Sequence, residues 1–165
     1  MAVITIVGDF GTGKTTLMKS MLEKTKQEKL VFALVRNDYQ YPIYQDFKKY
    51  ISMAVTKKDT AFVIDEARAV LPKKDPDPKK KHEGELLRFF INARKLNNFI
   101  FIVYHALNEV PIWLLNYSDK FIRFRTNDQI QYQVNRFRSF PTVTNSLLEN
   151  PSMNNFEFDE VTVRP

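Results

Sequence analysis

Glycine is rationed in this chain. Of its four glycines, three (Gly8, Gly11 and Gly13) fall inside one six-residue window. A chain so sparing places glycine where backbone must approach something closely or turn through positive φ. The window reads Gly8-Asp9-Phe10-Gly11-Thr12-Gly13-Lys14-Thr15-Thr16. A short β-branched run, 2–7, precedes it, and over 14–26 Leu17, Met21 and Leu22 recur on one side of an expected helix. The pattern G-x-x-x-x-G-K-[ST] between a strand and a helix is a phosphate cradle. Successive backbone N–H groups wrap a β-phosphate, and the helix N-terminus adds partial positive charge. Residues Gly8 to Thr16 then hold the phosphates, Lys14 reaches the β- and γ-phosphates, and the Thr15 hydroxyl ligates Mg2+. A nucleoside triphosphate with Mg2+ is the expected ligand.

Elsewhere, apolar runs at 30–35, 60–64, 99–104 and 120–125 alternate with helical stretches at 43–54 and 85–96. Continuous apolar runs separated by helices are what a parallel sheet covered on both faces requires. The fold class is therefore α/β. Residues 72–84 hold three prolines and no large apolar side chain, so an exposed loop is expected there. Over 129–137 strand and helix stay open, 143–148 is weakly helical, and 156–163 is a late strand. Neither a repeat nor a dividing linker is visible, so 1–165 is taken as one domain, with a core over 2–126 and an extension over 127–165.

The third expected strand ends in Asp65-Glu66. An acid at such a strand end holds the Mg2+ shell of a triphosphate site, which suits Asp65. Glu66 is placed to orient and deprotonate a water attacking the γ-phosphate. Alone, an Asp-Glu pair is a solvated strand end; after a phosphate loop it gains meaning. A carboxylate ready for water, with no evident acceptor pocket, argues for hydrolysis over phosphoryl transfer. The guanine signature Asn/Thr-Lys-x-Asp is missing, which favours ATP over GTP.

Composition narrows the partners. Twenty-five Lys and Arg against 19 Asp and Glu give a formal charge of +6, which fits a polyanion such as nucleic acid. The chain has no cysteine, which removes disulfides, thiolate metal sites and cysteine nucleophiles and suits a reducing compartment. With two histidines, a His-rich metal site is not expected. No apolar run approaches the roughly 18 residues of a membrane span, so no transmembrane segment is expected.

These motifs, with Ala93-Arg94-Lys95, Tyr104-His105, Val110-Pro111 and Phe121-Ile122-Arg123-Phe124-Arg125-Thr126, resemble the FtsK–HerA branch of P-loop ATPases. The chain looks most like viral and phage genome-packaging ATPases and zonula-occludens-toxin-like phage assembly proteins, over about 2–126. The resemblance implies a three-layer P-loop NTPase fold of RecA/FtsK type, mainly parallel, with the first strand between the fourth and fifth. It also implies a homo-oligomeric ring that translocates DNA in the host cytoplasm or on the virion, with a capsid or portal partner. The branch usually carries a polar sensor, often Gln, at the end of the fourth strand; here that position is His105.

Several residues keep two readings. Arg94, with Arg88 as alternate, either completes a neighbouring subunit's site or is a surface arginine on an amphipathic helix. His105 senses the γ-phosphate or is an ordinary strand-end histidine. Lys73, Lys74, Lys79, Lys80 and Lys81 touch nucleic-acid phosphates or merely solvate a loop. Arg123, Arg125, Arg136 and Arg138 among phenylalanines either help stack single strands or face solvent from a phenylalanine core. Two other functions compete: a nucleoside or nucleotide kinase, which opens with the same glycine motif, and an assembly or extrusion ATPase that never grips DNA.

Overall fold

The structure is a computed structural model and describes residues 2–35 and 39–163. Its strands are β1 (Val3–Val7), β2 (Glu28–Phe32), β3 (Ile43–Tyr44), β4 (Thr60–Ile64), β5 (Phe99–Tyr104), β6 (Lys120–Phe124) and β7 (Phe158–Thr162). Its helices are α1 (Lys14–Lys24), α2 (Phe47–Ala54), α3 (Lys81–Ile91), α4 (Ile112–Leu115), α5 (Ile130–Arg136) and α6 (Pro141–Glu149). The strands form one sheet in the order β3-β2-β4-β5-β1-β6-β7, parallel except for β7. The first strand thus lies between the fourth and fifth of the expected apolar runs.

Alternation along the strands splits the core into two layers. On one face Ile4, Ile6, Val63, Phe101, Val103 and Ile122 pack against Met18 and Leu22 of α1. On the other, Phe32, Phe62, Ile102 and Phe121 meet Tyr50 of α2, Phe89 and Phe90 of α3, and Leu147 of α6. Edge-on rings link this layer across elements: Tyr50 to Phe62 at 5.9 Å and Phe62 to Phe89 at 5.0 Å. The Tyr50 hydroxyl stays satisfied inside it by donating to the Leu30 and Val63 carbonyls.

Register then aligns the chemistry. Val7 lies opposite both Tyr104 and Arg123, and Ile64 lies opposite Ile102. The residues that follow β1, β4, β5 and β6 therefore emerge at a single edge of the sheet.

Four expectations change. Residues 43–54 are not one helix: Pro42 and the Asp46 cap, whose carboxylate accepts from the Lys49 N–H at 3.2 Å, leave a short strand before α2. The second strand spans Glu28–Phe32 rather than 30–35, and Leu34 and Val35 are exposed beyond it. Residues 72–84 are not wholly loop, because α3 already begins at Lys81 and ends at Ile91. Gly84 lies buried there, and a Cβ on it would meet the Pro78 carbonyl at 2.8 Å, so the helix start closes against its own loop. Finally, Arg123 does not face solvent. It is 2% exposed, and its guanidinium donates to the Ser146 and Asn150 carbonyls and pairs with Asp159 at 3.2 Å, tying β6 to α6 and β7. The segments left open over 129–137 and 143–148 are both helical, and 156–163 contains the antiparallel β7.

The edge remote from the glycine loop is closed by Asp119. Its carboxylate accepts from the backbone N–H groups of Ala2 (2.8 Å) and Val3 (3.0 Å) and pairs with Arg94. Burial pushes this carboxyl up, but those N–H groups and Arg94 outweigh it and hold the acid below its ordinary value. A depressed carboxyl stabilises the fold above the unfolded pKa, and that contribution fades as pH falls through the folded one. Asp119→Asn is accordingly expected to lower the melting temperature at neutral pH. In thermal melts across a pH series, the gap to wild type should shrink below about pH 4.

Candidate nucleotide site

The glycine loop is fixed from both sides before α1 begins. The Gly8 N–H donates to the Tyr104 carbonyl at 3.1 Å, and the Asp9 N–H to that of Arg125 at 2.9 Å. These extend the β1–β5 ladder by one residue and the β1–β6 ladder by two into the loop. Beyond them the loop holds itself: Thr12 Oγ1 donates to the Asp9 carbonyl at 2.7 Å, and Asn127 Nδ2 donates to the Asp9 carboxylate at 2.7 Å. Gly13 sits at φ 96° immediately ahead of α1, whose first turn contains Lys14, Thr15 and Thr16. Among these, Lys14 is buried, Thr15 half-buried and Thr16 exposed.

Lys14 turns back over the loop, with Nζ 3.4 Å from the Asp9 carbonyl and 5.3 Å from the centre of the Phe10 ring. Burial lowers its ammonium pKa, while Asp65, Asp9, Glu66 and Glu109 pull it back. The side chain is a desolvated cation ringed by carboxylates, a charge that a phosphate oxygen can take up.

Asp65 and Glu66 leave β4 beside it. Asp65 is buried and accepts from the Tyr39 hydroxyl at 3.0 Å, while Asp65 Oδ1 accepts the Glu66 N–H at 3.0 Å. Burial, followed by the Asp65 charge, pushes the Tyr39 phenol well above its ordinary value, so it remains a donor. Glu66 sits at φ 58°, an uncommon conformation for a residue with a side chain and one that clusters at functional sites. Its carboxylate lies 3.4 Å from His105 Nε2. The His105 ring stacks on Phe10 with centroids 4.3 Å apart, so phosphate loop, strand-end histidine and candidate base touch one another.

Sequence reasoning missed the residues that hold this corner. Glu109 Oε1 accepts from the N–H groups of His105 (3.1 Å) and Ala106 (3.0 Å), while Oε2 pairs with Arg68 at 3.0 Å. Tyr39 on Asp65 and Asn127 on Asp9 were equally silent, because those partners stand 26 and 118 residues apart. Arg94 is not brought here. It precedes β5 and pairs with Asp119 at the opposite edge, a strand length or about 17 Å away. Arg88 is exposed on α3. The lysine segment does lie at the cradle's edge, since α3 runs back along the sheet from it to β5. There Lys73, Lys74, Lys79, Lys80 and Lys81 are all exposed, with Lys80 3.6 Å from Glu83.

A family model described as the ATPase family associated with various cellular activities (AAA) matches residues 4–126. The chain belongs to this family. It is a P-loop-type ATPase that binds ATP. No curated protein matches it in sequence. Among solved structures it is similar to the genome packaging NTPase B204 from Sulfolobus turreted icosahedral virus 2 in complex with ATP-gammaS. That likeness has a TM-score of 0.72 at 16% identity and covers 98% of this chain and 92% of that one. The N-terminal domain of zonular occludens toxin from Neisseria meningitidis gives 0.51 at 17% identity, covering 76% and 78%. EssC ATPases 2 and 3 from Geobacillus thermodenitrificans give 0.53 at 14% identity, covering 77% and 32%. The fold is thus that of the viral packaging and phage assembly ATPases which the motifs resemble. Among the described residues, no helix is long and apolar enough to cross a membrane.

The loop predicts an ordering among its glycines. A Cβ on Gly8 would meet Phe124 Cβ at 2.7 Å and Thr12 Oγ1 at 2.8 Å, whereas one on Gly11, at φ 73°, would meet nothing within 4 Å. Gly8→Ala should cost about 1–3 kcal/mol in denaturant melts, as overpacking does. Gly11→Asn, a residue that tolerates left-handed backbone, should cost well under 1 kcal/mol.

Proposed function

We propose that this chain is a Mg2+-dependent ATPase that moves nucleic acid, DNA in the first instance, into a viral or phage particle. The observation that carries the proposal is the meeting of Lys14, Asp65, Glu66 and His105 beside one glycine loop. Likeness of fold to a genome packaging NTPase across nearly the whole chain supports it. In this reading residues 1–165 act as one ATPase domain, with 127–165 an extension of the 2–126 core.

Each residue then has a task. Amides of Gly8, Asp9, Phe10, Gly11, Thr12 and Gly13 and the first turn through Thr16 bind the phosphates, and Lys14 neutralises the β–γ bridge. The donor set fits Mg2+: the Thr15 hydroxyl and the buried Asp65 carboxylate are hard oxygen ligands, and this ion takes its remaining ligands from phosphates and water. When bound, it spreads the charge that develops on the phosphate oxygens. Glu66 orients a water and takes its proton as the water oxygen attacks the γ-phosphorus. The bond to the bridging oxygen breaks, ADP leaves, and phosphate follows. His105, in contact with Glu66 and Phe10, registers whether the γ-phosphate is present. Arg94, exposed, remote from its own cradle and paired with Asp119, would in a homo-oligomeric ring complete a neighbour's site, with Arg88 as alternate. A guanidinium so placed is worth roughly 10³–10⁵ in rate.

The lysines of 73–81 would grip nucleic-acid phosphates without reading sequence. A capsid or portal partner and a place in the host cytoplasm or on the virion belong to the same reading. AAA membership favours hydrolysis over the nucleotide-kinase alternative.

Glu66→Gln should cut release of free phosphate by about 10²-fold or more while ATP still binds. An unchanged rate would remove Glu66 as the base, and label appearing on a nucleoside or nucleotide would make the chain a kinase. Changing Lys79, Lys80 and Lys81 together to Glu should weaken DNA binding at fixed moderate salt. It should also flatten the salt dependence by about 0.9 for each lost phosphate contact. Unchanged binding would favour an assembly ATPase that does not hold DNA.

A further inference from the structure

The groups assigned to chemistry all lie to one side of the glycine loop. In the sheet order β4-β5-β1-β6-β7, Asp65 and Glu66 follow β4 and His105 follows β5. A terminal phosphate therefore points toward β4 and β5, and its nucleoside must leave the loop toward β6 and β7.

On that side the turn before β7 brings an aromatic ring to the loop. A Cβ on Gly13 would stand 3.1 Å from Phe156 Cδ1 and 3.6 Å from Phe124 Cε1. Phe158 packs its ring on Phe124 at 5.1 Å, whereas Phe156 is 71% exposed. Its φ is 72°, which disfavours any bulky residue and persists only where the surroundings impose it. They do so here: the Glu157 carboxylate accepts from the Asn154 N–H and side-chain amide, and the Glu157 N–H returns to the Asn154 carbonyl. A strained turn is thus pinned in the pose that exposes an aromatic face beside the phosphate loop.

An open aromatic face beside the phosphate loop matches a nucleobase, which presents a flat π face of its own.

We infer that Phe156 is the base-stacking residue of the nucleotide site. The inference rests on the phosphate-cradle reading and extends it to a second subsite supplied by the C-terminal extension.

Calorimetry on the full chain, with Mg·ATP and with Mg·tripolyphosphate, which has no base, tests it. Phe156→Ala should weaken ATP binding about ten-fold and leave tripolyphosphate unchanged, while Phe156→Trp retains ATP affinity. In Phe156→Trp, ATP should shift indole emission beyond the change in the wild type, which has only Trp113. ATP affinity unchanged in Phe156→Ala would overturn the subsite, and so would equal losses for both ligands, because Phe156 would then act through loop shape. Wild type that binds neither ligand would instead overturn the cradle on which the inference rests.

Discussion

Two backbone hydrogen bonds carry the molecule's purpose: those by which Gly8 and Asp9 extend the ladders from β1 to Tyr104 and Arg125 on either side. A glycine-rich loop left to itself samples too many conformations to hold its amides in one direction, because freezing backbone is costly. Here the first two loop residues are still part of a sheet. Everything beyond them, the turn at Gly11, the left-handed Gly13 and the start of α1, is referred to that rigid edge. The absence of a Cβ at Gly8 completes the constraint, since Phe124 occupies the space it would need. A central β1, flanked by the strands that also deliver His105 and Arg125, is therefore what makes the loop a receptor.

Electrostatics at that edge is arranged around one cation. Lys14 is desolvated and faces four carboxylates, while the loop's own amides and the helix terminus supply partial positive charge. Lys14 leans on the Asp9 carbonyl, Asp65 is engaged by Tyr39, and Glu66 by His105. Each of these contacts is with a group that phosphate, Mg2+ or water can replace. Glu109 stands behind them, fixing the His105 corner through two backbone amides and an arginine.

Much of this was legible in the chain. The glycine window, the apolar run before it and Asp65-Glu66 after a second apolar run are local signals, and periodicity reads local order well. The central place of β1 came from resemblance, since pairing is a long-range property. What stayed hidden depended on distant partners. Arg123 looked like a solvent-facing residue of an alternating strand until α6 and β7 brought carbonyls and Asp159 over it. The start of α3 was masked by prolines and lysines, because Gly84 packing on the Pro78 carbonyl cannot be read from composition. Tyr39, Glu109, Asn127 and Phe156 reach the site only through folding. The position of Arg94 at the far edge likewise follows from sheet direction rather than from its own neighbours in sequence.

The central claim is that the amides between Gly8 and Thr16 clasp a triphosphate whose far end meets Asp65 and Glu66. A crystal structure of the protein with Mg2+ and a non-hydrolysable ATP analogue examines it directly. The account predicts the β-phosphate within hydrogen-bonding distance of those amides and Lys14 Nζ, with the γ-phosphate facing the β4 and β5 strand ends. A nucleotide bound elsewhere, or an empty loop at saturating analogue, would contradict it.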